Sequence, residues 1–177
     1  MPTEPDRPDD GRTIVLTGFM GTGKSTVGRI VAERLSRRFV DTDSLIESRH
    51  GPIAAIFAQH GEERFRALER EVAAQLAEER GLVVSTGGRT MLDPENRATL
   101  GGSGVVVCLT ASVDELVARL RHEADQRPLL RDGDPAERIA ALLAERAAGY
   151  AAFTQVPTDG RTPEDVAGSV IAVVVGR

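Results

Sequence analysis

The feature that most constrains the fold of this chain is a glycine-rich segment, GFMGTGKS, at residues 18–25. It matches the pattern G-x-x-x-x-G-K-[S/T] and lies between a short apolar run at 13–17 and an apolar pattern of helical spacing at 24–38. Glycines let the backbone curl so that its N–H groups point at phosphate oxygens, and a helix N-terminus adds positive potential. The segment therefore predicts a strand, a phosphate-binding loop and a helix in succession.

Within this loop we predict contacts to the phosphates of ATP. Lys24 is expected to reach the β- and γ-phosphates, and Ser25 offers a hydroxyl to Mg²⁺. Lys24 is also the single lysine among 22 basic residues, so a compact ammonium stands where every other cation is an arginine. The positions predicted to bind the nucleotide here are Gly21, Thr22, Gly23, Lys24, Ser25 and Thr26.

The reaction class follows partly by exclusion. A GTPase needs a base-reading motif such as N-K-x-D, and the sole lysine already belongs to the phosphate loop. Motor proteins are larger than this chain of 177 residues. A small-molecule kinase remains, with a non-catalytic nucleotide-binding module as the alternative from another class.

The rest of the chain alternates short apolar runs with longer periodic ones, which predicts an α/β domain with a parallel sheet. We expect one domain over residues 12–177, preceded by a disordered lead-in over 1–11 that is rich in proline and aspartate. A polar stretch broken by proline and glycine, at about 123–135, is predicted to be mobile.

Composition limits the binding partners and the cellular compartment that we expect for this chain. The formal net charge is −5 and aromatic residues make up 3%, which argues against a nucleic-acid surface. No apolar stretch reaches the length of a membrane-spanning helix, and the polar N-terminus lacks the apolar core of a secretory signal. The single cysteine excludes a disulfide framework and fits a reducing cytoplasm.

Two acids follow the second predicted strand, Asp41 and Asp43. The carboxyl ends of parallel strands line the ligand crevice of an α/β sheet, so we expect both acids near the phosphate loop. One could hold Mg²⁺, directly or through water, and the other could orient or deprotonate an acceptor hydroxyl. The alternative is that one of them only caps the next helix.

Further candidates are arginines and glycines. Arg66 and Glu69 are spaced to pair on a helix, although a solvated charged face is the usual reading of such a run. Gly87 and Gly88 follow the third strand, where they allow close backbone approach to a ligand or form a plain turn. Arg127 lies in the polar stretch, where it could swing in to neutralise a transferring phosphate, and Arg146 lies on a later helix, where a plain salt bridge is the alternative.

Six motifs taken together resemble the shikimate kinase family, in order and in spacing, over about residues 13–175. The motifs are GFMGTGKSTVGR at 18–29, FVDTDSLIE at 39–47, IFAQHGEERFRALE at 56–69, STGGR at 85–89, RPLL at 127–130 and ERxxxY at 145–150.

The resemblance implies a three-layer, five-stranded parallel sheet of the nucleoside-monophosphate-kinase type with a lid at about 123–135. It implies phosphorylation of the 3-hydroxyl of shikimate by ATP with Mg²⁺, in a protein expected to be monomeric. The implied functions of individual residues follow the motifs: Lys24 and Ser25 at phosphate and Mg²⁺, Asp41 in the outer shell of the metal, Asp43 at the reacting diol, Arg66 and Arg146 on the substrate carboxylate, Glu69 behind Arg66, Gly87 and Gly88 as backbone contacts, Arg127 from the lid, and Arg119 beside the adenine.

One position departs from the family pattern. Three consecutive glycines usually follow the third strand, and here the third is Arg89. This cation could add an anion contact, narrow the pocket or point to solvent. The departure keeps open a kinase for a different small hydroxylated acid.

Overall fold

The computed structural model describes residues 11–120 and 134–176. Its core is one five-stranded parallel sheet with the strand order β2-β3-β1-β4-β5. The strands are β1 (Thr13–Gly18), β2 (Arg38–Asp41), β3 (Leu82–Ser85), β4 (Gly104–Thr110) and β5 (Thr154–Pro157). The predicted α/β fold with a parallel sheet is confirmed.

Helices cover both faces of this sheet. They are α1 (Lys24–Arg34), α2 (Thr42–His50), α3 (Ile53–Ala77), α4 (Pro94–Ser103), α5 (Val113–Leu120), α6 (Pro135–Tyr150) and α7 (Pro163–Val175), with a short 3₁₀ helix at Thr90–Leu92. Alternate side chains of a strand point to opposite faces. Accordingly, Ile14 and Leu16 pack with α1 and α7, while Val15 packs with α3 and α4. The two layers of side chains form the core.

Local signals set most helix ends. Asp93 and Asp134 accept hydrogen bonds from the first-turn backbone of α4 and α6, and each is followed by a proline at the first helical position. The predicted helix at 24–38 is shorter in the structure and ends at Arg34, since the chain turns at Ser36 (φ 53°). Helix α3 contains a kink at Gly61, whose backbone is not helical (φ 78°).

Two segments in the sequence predictions concern residues that the structure does not describe. The lead-in at 1–11 lies outside the described residues except for Gly11, and the proposed lid at about 123–135 lies outside them up to residue 133. Arg127 is among them, and its function stays a prediction. Over 11–120 and 134–176, no helix is long and apolar enough to cross a membrane.

The topology determines where a ligand can bind. Strands β1, β2 and β3 run parallel, so the segments that leave them all emerge at the same carboxyl edge of the sheet. Strand β1 lies between β3 and β4 in the strand order. In open α/β sheets this edge, at the point where the strand order reverses, forms the ligand crevice. The three segments are the phosphate loop, the Asp41–Asp43 turn and the paired glycines.

Candidate active site

A cleft of about 610 Å³ opens at this edge of the sheet. Its walls come from the phosphate loop, the turns after β2 and β3, and residues of α3 and α6. Of the residues predicted for the site, those that line it are Gly21, Gly23, Lys24, Ser25, Thr26, Asp41, Asp43, Arg66, Gly87, Gly88 and Arg146. The fold thus brings together residues that are as much as 125 positions apart in the sequence, from Gly21 to Arg146 (146 − 21 = 125).

The phosphate loop is held open by its own backbone. Gly23 caps α1 with a left-handed conformation (φ 88°) that glycine adopts without strain, and neither a capping side chain nor an acid occupies the first turn. The Lys24 Nζ donates to the carbonyl oxygens of Gly18 and Phe19, both at 2.9 Å. Thr22 is buried beneath the loop and donates to Phe19 O at 2.8 Å. The N–H groups of the helix start and one ammonium therefore face the cleft.

Asp41 makes two contacts at once. Its Oδ1 accepts from the Ser44 N–H (3.0 Å) and caps α2, so the cap is present, although it is not the only contact of this residue. Its Oδ2 accepts from the Ser25 hydroxyl at 2.6 Å, and that hydroxyl lies 3.2 Å from the Ser85 Oγ. Asp41 pairs with Ser85 in the register of β2 and β3, so the sheet itself aligns them. Capping and a link to the phosphate loop coexist.

The oxygens of Ser25 and Asp41 fit a magnesium site. Mg²⁺ prefers hard oxygen ligands and usually takes few from the protein, completing its shell with phosphate oxygens and water. The described part of the chain holds no cluster of three or more His, Cys, Asp or Glu side chains that could ligate a metal alone. Ser25 would bind the ion, and Asp41 would orient Ser25 or a metal-bound water.

Asp43 is the most perturbed acid of the cleft. Its Oδ1 is buried and has no hydrogen-bond partner among the described residues. Burial, together with the negative charges of Asp41 and Glu69, raises the pKa of Asp43 to about 6 against the opposing effect of Lys24. A carboxylate that is poorly solvated, unpartnered and near the phosphate loop is suited to accept a proton from a ligand hydroxyl.

The guanidinium of Arg66 is fixed by hydrogen bonds to two acids of its own helix. Glu69 is 2% exposed, and its two oxygens accept from Arg66 Nη1 and from the Thr90 hydroxyl, both at 2.6 Å. On the outer side, Arg66 Nε and Nη2 donate to Glu62 Oε1 at 3.1 and 2.9 Å. The predicted Arg66–Glu69 pair is confirmed, whereas the reading of this run as a solvated face is wrong for Glu69. Thr90 was not foreseen, because a lone threonine on a distant segment carries no local signal.

Of the paired glycines, Gly87 is tightly enclosed, whereas Gly88 has ordinary contact distances around it. A Cβ at Gly87 would lie 3.0 Å from Asp43 Oδ1 and 2.9 Å from Thr90 Oγ1. A Cβ at Gly88 would lie 3.5 Å from Arg146 Nη1. Arg146 is 6% exposed, and its guanidinium carbon stands 5.3 Å from the ring centre of Phe19. Absent side chains at 87 and 88 therefore leave room between Asp43 and Arg146.

Arg89 stands at the rim of the cleft with an exposed side chain. Its backbone (φ −107°, ψ −10°) is accessible to every residue type, so this position does not require glycine. Its charge contributes to a lowered pKa of Glu62, behind the larger effect of Arg66. Arg89 thus neither fills the interior of the cleft nor strains its backbone.

Arg119 lies outside the cleft lining and under the phosphate loop. Its Nη1 donates to Gly21 O and to the Thr158 hydroxyl, both at 3.1 Å, and its Nη2 donates to Thr158 O at 3.0 Å. It ties the phosphate loop to the turn after β5. A contact with adenine stays a prediction.

Comparisons with known proteins agree with this architecture. The family model described as shikimate kinase matches residues 20–175. A shikimate kinase of Geobacter metallireducens is 50% identical over 172 residues, which cover 96% of each chain. A structure described as shikimate kinase from Acinetobacter baumannii in complex with shikimate superposes with a TM-score of 0.87 at 33% identity, covering 95% of each chain. One from Aquifex aeolicus gives 0.78 at 31% identity, covering 93% of this chain and 96% of that one.

These relatives confirm the resemblance drawn from the six motifs. They also confirm the five-stranded architecture of the nucleoside-monophosphate-kinase type. A cleft that joins a phosphate loop to an acid and two arginines is what transfer of a phosphoryl group to an alcohol requires. The chain is a phosphotransferase with an alcohol group as acceptor and ATP and Mg²⁺ as cofactors, and it belongs to the shikimate kinase family.

Proposed function

We propose that this chain transfers the γ-phosphoryl group of ATP to the 3-hydroxyl of shikimate. The observation that carries the proposal is the buried Oδ1 of Asp43, which has no hydrogen-bond partner in the described part of the chain and lies in the same cleft as Lys24, Arg66 and Arg146. The similar structure from Acinetobacter baumannii, described as a complex with shikimate, supports the choice of acceptor. A carboxylated polyol fits a cleft that is lined by two arginines and a buried acid.

Each end of the acceptor has a matching group. Arg66 and Arg146 would bind the carboxylate, since a guanidinium presents paired N–H donors in a planar fork. Asp43 would accept a hydrogen bond from the reacting hydroxyl, and the backbone at Gly87 and Gly88 allows the ring to lie between these groups. Glu69, fixed by Thr90, keeps the Arg66 guanidinium in one orientation.

In the proposed chemical step, the γ-phosphoryl group moves from ATP to the acceptor hydroxyl within the cleft. The acceptor oxygen forms a bond to the γ-phosphorus, and the bond from that phosphorus to the oxygen bridging it to the β-phosphorus breaks. The hydroxyl proton passes to the carboxylate of Asp43, and ADP leaves with the bridging oxygen. Lys24 and the N–H groups at the start of α1 stabilise the negative charge on the phosphoryl oxygens. Bound at Ser25 and Asp41, Mg²⁺ would neutralise phosphate charge.

The test is ADP release coupled to a detectable reaction, with shikimate and with other small hydroxylated acids as acceptors. Turnover with shikimate, and a phosphate ester at its 3-oxygen by ³¹P and ¹H NMR, is the expected result. No turnover at millimolar shikimate would reject the proposal. Turnover with another acid alone would support the divergent kinase, and ATP binding without turnover of any acceptor would support a binding module.

Substitution of Arg66 tests the carboxylate clamp. Arg66→Ala is expected to raise the KM for shikimate by about 30-fold or more, because a charge-assisted contact worth about 2 kcal/mol is lost. The turnover number should fall less, since the contact is remote from the reacting oxygen. Arg64→Ala is the matched control, because Arg64 lies on the same helix and pairs with Glu71 at the surface. Equal KM values for the two variants would contradict the assignment.

Substitution of Arg89 tests the departure from the family pattern. Because its side chain is exposed at the rim, Arg89→Gly is expected to change the KM for shikimate by only about threefold, as for a surface ion pair. The ranking of acceptors should stay the same in parallel assays of both proteins. A reversed ranking would show that Arg89 sets acceptor specificity.

We also propose that the enzyme acts as a monomer in the cytoplasm and binds no nucleic acid. Residues of one chain line the cleft, which supports catalysis without a second subunit. A single cysteine, buried and unpaired, suits a reducing compartment. Sedimentation at micromolar concentration measures the oligomeric state.

A further inference from the structure

We infer that Tyr150 is a positioning residue for the acceptor, acting through the Gly88 carbonyl and the Arg146 guanidinium. The inference rests on the proposed function and adds a residue that the mechanism above does not use. Tyr150 is 5% exposed and packs in a cluster with Phe19, Cys108 and Ile139, outside the residues that line the cleft. It therefore acts on a ligand only through its neighbours.

The tyrosine hydroxyl is bound to the turn after β3, which carries Gly87 and Gly88. Tyr150 Oη donates to Gly88 O at 2.6 Å, across 62 positions of the sequence. A peptide unit is planar and trans, so orienting this carbonyl also orients the N–H of Arg89 in the opposite direction. That N–H has no backbone or side-chain acceptor within the described ranges 11–120 and 134–176. The hydroxyl thus sets the direction of a backbone donor beside the cleft.

The same hydroxyl stands next to Arg146. Both residues belong to α6 and are four positions apart, so they share one face of the helix. The positive charge of Arg146 opposes the rise that burial imposes on the pKa of Tyr150. A Cβ at Gly88 would lie 3.5 Å from Arg146 Nη1 and 3.8 Å from Tyr150 Oη, so the three groups meet at one point.

Arg146 has few other restraints. Its Nε is buried without a hydrogen-bond partner among the described residues, and its guanidinium rests on the Phe19 ring. Without the tyrosine oxygen, the guanidinium loses a polar neighbour and Gly88 O loses its donor. Both losses fall on groups at the acceptor end of the cleft, and neither removes a hydrogen bond of the phosphate loop, which Arg146 contacts through the ring of Phe19. The expected signature is weaker acceptor binding with nucleotide binding preserved.

The first test is Tyr150→Phe, which removes one oxygen and keeps the buried ring. We expect the KM for shikimate to rise about fivefold to tenfold, the equivalent of one buried hydrogen bond. The KM for ATP and kcat should stay within about twofold. The control is Thr13→Val, which removes a buried hydroxyl that bonds Glu79 O and the Leu82 N–H at the opposite edge of the sheet. A purely structural hydroxyl would lower the Tm in both variants and leave both acceptor KM values unchanged.

A second measurement does not depend on a substitution. Tyr150 is the single tyrosine of the chain, so uniform 3-fluorotyrosine labelling places one ¹⁹F reporter at this site. We expect its resonance to shift and saturate as shikimate is added without ATP. No shift at saturating shikimate, or an unchanged acceptor KM in an active Tyr150→Phe enzyme, overturns this inference alone. Absence of shikimate turnover by the unsubstituted enzyme would instead overturn the proposed function.

Discussion

Lys24→Ala is expected to lower kcat by a factor on the order of 10³, as removal of one group that stabilises transition-state charge typically does. Lys24 is the single ammonium side chain in the protein, so no neighbouring lysine can replace it. Its Nζ already lies at the phosphate loop, held by the carbonyl oxygens of Gly18 and Phe19. Steady-state assays with shikimate and ATP measure the loss.

The matched control is Arg29→Ala. Arg29 lies on the same helix, is exposed and stacks on Phe39 with its guanidinium carbon 4.6 Å from the ring centre, away from the cleft. This variant should retain kcat within about twofold, as a surface change far from the reacting atoms usually does. Thermal unfolding of both variants separates lost catalysis from lost loop structure. A Lys24→Ala enzyme with kcat within tenfold of the original would contradict the assignment.

Asp43→Asn is expected to reduce kcat by about 10²- to 10⁴-fold while sparing ATP binding, because an amide cannot take the hydroxyl proton. The pH profile provides a second readout. With a pKa of about 6 in the free enzyme, Asp43 loses its negative charge as the pH falls, so kcat/KM for shikimate should decline below about pH 6. The residual rate of Asp43→Asn should lack this inflection.

The same substitution should stabilise the fold at high pH. The pKa of Asp43 rises from 3.8 to about 6 on folding, so the native state binds more protons than the unfolded chain between these values. Stability therefore falls as the pH rises through this window, by at most about 3 kcal/mol. Asp43→Asn should unfold at higher temperature than the original protein at pH 8, and the difference should vanish below pH 4. Asp114→Asn, at an exposed position of α5, controls for the change in net charge.

Loss of ATP affinity together with activity would show that Asp43→Asn damages the nucleotide site. An Asp43→Asn enzyme that retains kcat would show that the hydroxyl loses its proton elsewhere. An acid limb of kcat/KM that persists in this variant would belong to another group. Higher stability together with lost turnover in Asp43→Asn is the result expected if the folded protein keeps Asp43 charged and is less stable because of that charge.

Elements with local signals were predictable to within a few residues. The phosphate loop has a characteristic spacing of glycines and lysine, and strands β1 and β3 are short apolar runs. Helix α7 begins with a proline at its first position. The break near Gly51 and Pro52 separates α2 from α3, as glycine and proline usually do. Helix ends such as that of α1 were less certain, because the turn at Ser36 depends on packing and has no glycine to mark it.

The residues of the candidate site likewise fall into those that the sequence predicts and those that it does not. The motifs named the groups that do chemistry, including Lys24, Asp43 and Arg66, and the fold places them around one cleft. The groups that orient them were not predictable, since Ser85 and Thr90 are common polar residues whose partners lie on other segments. The charged run around Glu69 is typical of a solvated helix face, yet Glu69 is buried because Thr90 and Arg66 pack against it.

The amino-acid sequence alone determined the alternation of strands and helices, the phosphate loop and the chemical type of each reacting group. These depend on contacts between near neighbours along the chain, where periodicity and glycine or proline placement are decisive. Only the tertiary structure decided that Asp43 Oδ1 is buried without a hydrogen-bond partner among the described residues. It also decided that Glu69 is buried behind Arg66 and that Tyr150 donates a hydrogen bond to Gly88 O. Desolvation and long-range hydrogen bonds arise when distant segments pack together, and no local pattern encodes them.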